Sequence, residues 1–478
     1  MKKIILSAQV VLLNYVIGFS QVTVSQGTPA NFQIQKQSYM TSFVNGNEYY
    51  FIFRNEEPTN KRENLVVLDQ NGNATYSGEF KMDYGVFNNQ NSVNSALPLG
   101  NKAVVLVENP NKGAGKNTLF IGTMDNKGVV SKEAIEVDFD FKKMMNHGQW
   151  YSYLTPDKQH LAILGELPLD KEQPAKYKFY FFDANLKQLN TGEFDLPGKI
   201  KKSDQFSFYA NDKGDFYLIK GDYDKGDKIP VVYKTSVSSS VVNEYKVSMD
   251  ETKIVLSYTA SFDPSGDLII AGYYHGKETF LSGKKAVGVW VYNSAKSTDI
   301  TSKPFDTPIE DLAARGIVYN GNTVFLIGEQ YKESSVMVNT AAGLKDDFTY
   351  THNNLLITGL DNTNWNKKFN IVLNRNWVSK NFNVDISPAF GILNGKLAVV
   401  YNDQYGKYFK SSSQDKLPVL VFINNDGLME QPINFAKELP AFSSFTLFPK
   451  YFNNSKTNEM MLLGGNYETI KGIIFRPK

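Results

Sequence analysis

The chain has 478 residues, 33 of them Phe and 27 Tyr, which is apolar material enough for one large repeating core. Its formal charge is +2, an excess that Lys2 and Lys3 account for; an otherwise neutral chain is a poor nucleic-acid binder, because displacing counterions from phosphates needs net positive potential. Cysteine is absent, which excludes disulfides, thiolate metal sites, a cysteine nucleophile and a lipid-bearing N-terminal cysteine.

Residues 1–20 read as a secretory signal. Lys2 and Lys3 lead an apolar stretch from Ile4 to Phe19, diluted by Ser7, Gln9 and Asn14, and Gly18 and Ser20 are small residues before a cut at Gln21. The stretch falls short of the roughly 20 apolar residues of a spanning helix, and no later one comes closer. The expectation is an exported protein with no direct membrane insertion, and residues 21–478 forming a single domain. Cleavage before Gln21 and the Asn/Lys/Tyr-rich composition resemble exported proteins of Bacteroidota.

After a short β-rich run, Gln21 to Gln26, one type of stretch recurs along the whole chain: a turn residue, an apolar run of β-formers, then glycine or a polar residue. The copies are Asn47–Glu56, Lys102–Asn109, His160–Leu167, Gly214–Tyr223, Gly266–Tyr274, Asn322–Tyr331, Gly395–Tyr405 and Asn458–Tyr467. Such a spacing, roughly 50 to 75 residues, marks a radially repeated fold. Each copy is followed by a further strand ending in an Asp/Asn/Gly turn, from Leu65–Asn73 to Gly472–Pro477, and most of those by a more polar fourth strand such as Ala74–Phe80. No apolar period of 3.6 lasts three turns; Ile309 to Arg315 is the best short helix.

Four antiparallel strands in about 57 residues describe a propeller blade. The eighth unit ends at Lys478 after its third strand, so Gln21–Gln26 is the predicted fourth. The fold class is therefore all-β, a closed β-propeller of eight blades, or seven if a terminal unit is degenerate. Tyr153–Leu164 and Ser261–Gly272 resemble the tight Pro-Asp and Pro-Ser-Gly corners of TolB-type and NHL-type propeller repeats. This resemblance implies the fold and transfers no functional residue.

Chemistry is thinly signalled. His147, His160, His275 and His352 lie in separate units without metal-ligand spacing, so no metal or cofactor is expected. Asp69, Asp125 and Asp183 read as turn residues rather than calcium loops. Glu166, Asp222, Glu329 and Asp403 each sit just past a core strand; in a propeller they would ring one mouth of the channel, where paired carboxylates could hydrolyse a polysaccharide. The loops after the core strands are the stronger signal: Tyr273–Lys284, Tyr331–Asn353 and Tyr405–Lys416 are long and aromatic. Their binding candidates are Tyr274, His275, Val336, Met337, Val338, Tyr408 and Phe409, a set suited to a protein or glycan. The main expectation is a non-catalytic binding or scaffold subunit of the cell envelope, docking by this face onto an outer-membrane transport, assembly or secretion complex. The alternative is a polysaccharide hydrolase or lyase.

Overall fold

The computed structural model describes the chain apart from residues 1–16, 19–21, 35–36, 56–62, 83–91, 132–133, 170–173, 198–205, 225–226, 278–284, 297–299, 341–342, 381–386, 404–416, 435–445, 455 and 467. It is an all-β ring of eight four-stranded antiparallel blades. The third blade shows the unit plainly: Gln149–Leu154, His160–Glu166, Lys176–Asp183 and Gln188–Asp195 pair in chain order. The first strand of each blade lies against the first strands of its neighbours and so lines the axis.

The second strand of each blade is buried on both faces, which explains why these runs are continuously apolar rather than alternating. Successive side chains point to opposite faces, so each run serves two interfaces. In Leu268–Gly276, Ile269, Ala271 and Tyr273 pack into the sixth blade's side, and Leu268, Ile270 and Tyr274 into the fourth's. Leu326, Ile163, Val399 and Ile270 are fully buried, and Leu218 almost so.

Ring closure follows from counting interfaces. Eight blades in an open arc share seven interfaces; in a ring they share eight. The buried side chains form eight clusters, one between each consecutive pair, including one between the eighth blade and the first, where Leu463 and Ile474 meet Phe51 and Val66. The seam is the one the sequence predicts. Val22–Gln26 pairs antiparallel with the last strand, from Val22 opposite Pro477 to Gln26 opposite Ile473. The first blade's turn locks onto it: the Gly472 N–H donates to the Gly72 carbonyl at 3.0 Å, and a side chain on Gly72 (φ +84°) would lie 2.7 Å from the Gly472 oxygen.

The third-to-fourth-strand turns are closed by acceptor side chains. Asp69 Oδ1 accepts the N–H groups of Asn71 and Asn73 at 2.8 Å each, and Asp125 and Asp183 repeat the arrangement. These aspartates are thus committed to their own backbones.

Two expectations give way to strands. Ile309 to Arg315 is not helical: Ile300–Glu310 and Leu312–Asn320 are strands of consecutive blades, hinged at Asp311 (φ 51°). A two-turn apolar pattern loses to ladder pairing on both sides. The stretch Tyr331–Asn353 is not a loop either. The sixth blade's central strands run on as Thr323–Thr340 and Gly343–Asp361, paired to the tip at Thr340 and Gly343. Among the described residues no helix is long and apolar enough to cross a membrane.

Candidate functional site

The two long strands of the sixth blade leave the ring as an arm. The first strand, Leu312–Asn320, pairs with Thr323–Thr340 only as far as Gln330, and the fourth, Lys367–Leu373, reaches only Leu355. Beyond that the pair continues from Tyr331–His352 to the tip, nine steps or about 30 Å at the usual strand rise. Trp377–Lys380 joins its lower half, opposite Thr349 to His352, and makes it three-stranded.

The arm rises from a buried charge cluster. Glu329 lies on the same strand face as Phe325 and Ile327, just before a register shift, and is fully buried. Its carboxylate accepts Arg315 Nε at 2.6 Å, His352 Nδ1 at 2.8 Å, and the Arg375 guanidinium. Burial pushes the Glu329 pKa up, but Arg375, His352 and Arg315 outweigh it and hold it down to about 2. Burial lowers the His352 pKa despite the bond to Glu329. His352 is therefore a neutral donor at pH 7, and the two guanidiniums carry the positive charge.

Arg375 ties the cluster to its surroundings. Its Nε donates to the Asn353 carbonyl at 3.1 Å and its backbone N–H to Asn354 Oδ1 at 3.2 Å. The next residue's N–H points at Asp403 Oδ1 of the seventh blade, 3.4 Å away. The Arg315 guanidinium lies 4.9 Å from the Tyr331 ring centre, and the Tyr331 hydroxyl donates to Glu333 at 2.8 Å. Charge-assisted bonds of this kind fix orientation as well as adding energy. The arm is thus held where it leaves the blade.

Above the base the side chains are exposed. Val336 and Met337 are 65% and 69% exposed, Val378 on the joining strand 45%, and Val338 is partly covered. Met337 shares a face with Phe348 and Tyr350, whose rings stack at 6.3 Å; Val336, Val338 and Val378 share the other.

The four predicted carboxylates do not form one ring. Glu329 and Asp403 are buried and flank the Arg375–Asn376 segment, and the side chain of Asp222 lies outside the described residues. Glu166 lines a cleft of about 410 Å³ between the second and third blades, together with Glu108 and His147. There Glu166 accepts the Tyr151 hydroxyl at 2.9 Å, and Glu108 accepts Asn117 Nδ2 at 2.8 Å with His147 Nδ1 at 3.7 Å. Of the predicted binding residues, Tyr274 and His275 are buried, because their strand continues to Gly276 opposite Lys253. Tyr408 and Phe409 lie outside the described residues. Among the described residues no group of three or more His, Asp or Glu is placed to hold a metal ion.

Sequence reasoning did not single out Arg315 and Arg375, and it treated His352 and His147 as incidental. The available signal was Glu329 itself, an acid abutting a run buried on both faces.

No protein family matches the chain, and no curated protein matches it. Solved structures do. Prolyl oligopeptidase B from Galerina marginata aligns with 82% of this chain at 11% identity and a TM-score of 0.36; the chain spans 56%, about half, of that protein's length. The β-propeller domain of the Trilobed protease from Pyrococcus furiosus aligns at 10% identity and a TM-score of 0.38, over 83% of this chain and 95% of that one. The WD40 domain of SCAP from fission yeast aligns at 8% identity and 0.42, over 95% and 98%. The likeness is one of fold.

Proposed function

We propose that this chain is a non-catalytic interaction subunit of the cell envelope, exported and then docked by the arm of its sixth blade onto an outer-membrane transport, assembly or secretion complex. The observation that supports the reading is the pairing of a fixed base with an apolar end: Glu329 and its partners hold the arm, and Val336 and Met337 stand in water at its outer half. Binding residues collect on extensions of rigid scaffolds. Burying one such side chain contributes about 1.5–3 kcal/mol before the costs of association. Exchanging Val336, Met337 and Val338 for Ser leaves the melting temperature unchanged and shifts the protein from the envelope fraction to the soluble one. A variant that unfolds no more easily and stays in the envelope fraction would sink this reading.

The cleft between the second and third blades supports a second reading, a polysaccharide hydrolase or lyase, since it brings Glu108 and Glu166 to one opening. The two readings part on Glu166→Gln: loss of a measurable polysaccharide cleavage, with envelope retention intact, favours the enzyme.

A further inference from the structure

The arm has an open edge. Thr323–Thr340 is covered on one side by Gly343–Asp361 along its whole length, but on the other by Leu312–Asn320 only up to Gln330. Among the described residues no strand pairs with that second side from Lys332 to Thr340. Which amides face outward is set at the base. The Tyr331 N–H donates to the Asp311 carbonyl, 2.9 Å away, on this same side. Backbone groups of a strand alternate between its two edges, and the pairing from Tyr331 to Thr340 is regular. The amides of Glu333, Ser335, Met337 and Asn339 therefore share one edge, which no described strand covers.

Natural sheets guard such an edge with charge, proline, a bulge or a covering segment. Here the guard stops at Lys332 and Glu333. Ser334 to Thr340, SSVMVNT, has no charge, no proline and no glycine, and Val336 and Val338 in it are β-branched. An unguarded edge of this length and spacing matches only another extended chain, whose main-chain groups repeat at the same interval. Val336 and Met337 are adjacent, so they project from opposite faces of the arm, and both are exposed. Two arms paired edge to edge would leave both faces in water. A strand that belongs to a larger sheet brings a body that covers them.

We infer that the outer edge of Lys332–Thr340 takes up an extended, uncharged strand at the rim of a partner's β-sheet, joined by main-chain hydrogen bonds to the alternate amides from Glu333 to Asn339. This rests on the interaction reading above and specifies how contact is made.

The test uses the full chain and a soluble peptide of alternating valine and threonine flanked by lysines as the strand probe. Ser335→Pro removes one outward N–H without touching the bonds between the arm's own strands; proline is tolerated where an edge amide faces solvent. Ser335→Ala keeps that N–H and controls for the side chain, and circular dichroism melting confirms that both variants fold. Wild type and Ser335→Ala are expected to bind the probe alike and to show slowed hydrogen exchange at Ser335 and Met337, whereas Ser335→Pro binds at least tenfold more weakly. Failure of the wild type to bind, or equal binding by Ser335→Pro, overturns the inference. If Val336→Ser with Met337→Ser releases the protein from the envelope fraction while Ser335→Pro does not, docking is by the faces of the arm, and the interaction reading survives alone. If neither releases it, both fail. A dimer of the wild type that Ser335→Pro converts to monomer assigns the edge to a second copy, and likewise overturns the inference.

Discussion

Replacing Glu329 with glutamine removes one charge from the base of the arm and almost no volume. The parent carboxylate sits at about 2 instead of 4.5, which at neutral pH corresponds to roughly 3 kcal/mol of stabilisation. A second route gives a similar figure: breaking a buried ion pair from one side costs about 3–5 kcal/mol, because the surviving charge is stranded. The charge left behind is chiefly Arg375, whose side chain is fully buried, while Arg315 is 30% exposed and can reach water. Glutamine still fits but offers one acceptor where three donors converge. The loss should be local. Urea denaturation together with hydrogen exchange is expected to show amides near Tyr331 and His352 opening more easily by roughly 3 kcal/mol, with those of the third blade unchanged. Arg375→Met combined with Glu329→Leu should recover much of the loss, since the guanidinium that remains, Arg315, is 30% exposed and can reach water. A Glu329→Gln protein within about 0.5 kcal/mol of the parent, the range of an ordinary surface substitution, would refute the assignment of Glu329 as the arm's anchor.

Acid should loosen the same region. Glu329 is depressed in the folded state, so its contribution is complete above its ordinary value of 4.5 and is lost as pH falls towards 2. His352 is depressed as well, so protons favour the unfolded arm once pH drops below its ordinary 6.5; exchange in the arm, followed by mass spectrometry, is expected to be flat from pH 7 to 8 and to quicken below that, after correction for the intrinsic rate. Deleting Val22–Gln26 exposes the edge of the last strand, and should lower the melting temperature and promote aggregation seen by light scattering. Leu326→Ala, at a fully buried position between the fifth and sixth blades, should cost about 2–5 kcal/mol in urea unfolding.

The ring was legible because its signal is local and repeated. A strand buried on both faces must be apolar throughout, and eight such runs separated by turn residues leave few alternatives. Closure was legible for a related reason: the last repeat shows only three strands, the third at Gly472–Pro477, while Gln21–Gln26 is a β-rich run that stands outside the repeats. The arm was not. Lys332 to Thr340 carries no continuous apolar run, and its strand character comes from pairing with Gly343–Asp361 rather than from composition. The charge cluster was hidden by distance, since Glu329 finds its partners 14, 23 and 46 residues away. Tyr274 and His275 looked like loop residues because the strand's end is not marked by any turn signal before Gly276.

The seam between Val22–Gln26 and the final strand sets an order of events. Lys471 reaches Gln26 across 445 residues of sequence, so a strand made early finds its partner among the residues made last. Until then the first and eighth blades each lack a neighbour, and their inner faces, Phe51 and Val66 on one side and Leu463 and Ile474 on the other, have nothing to pack against. Closing so long a loop is slow, because its entropy is lost before any contact repays it. A chain of this design stays open, and extensible, until its last strand is available; after closure, pulling on Val22–Gln26 or on the last strand loads the same short ladder first.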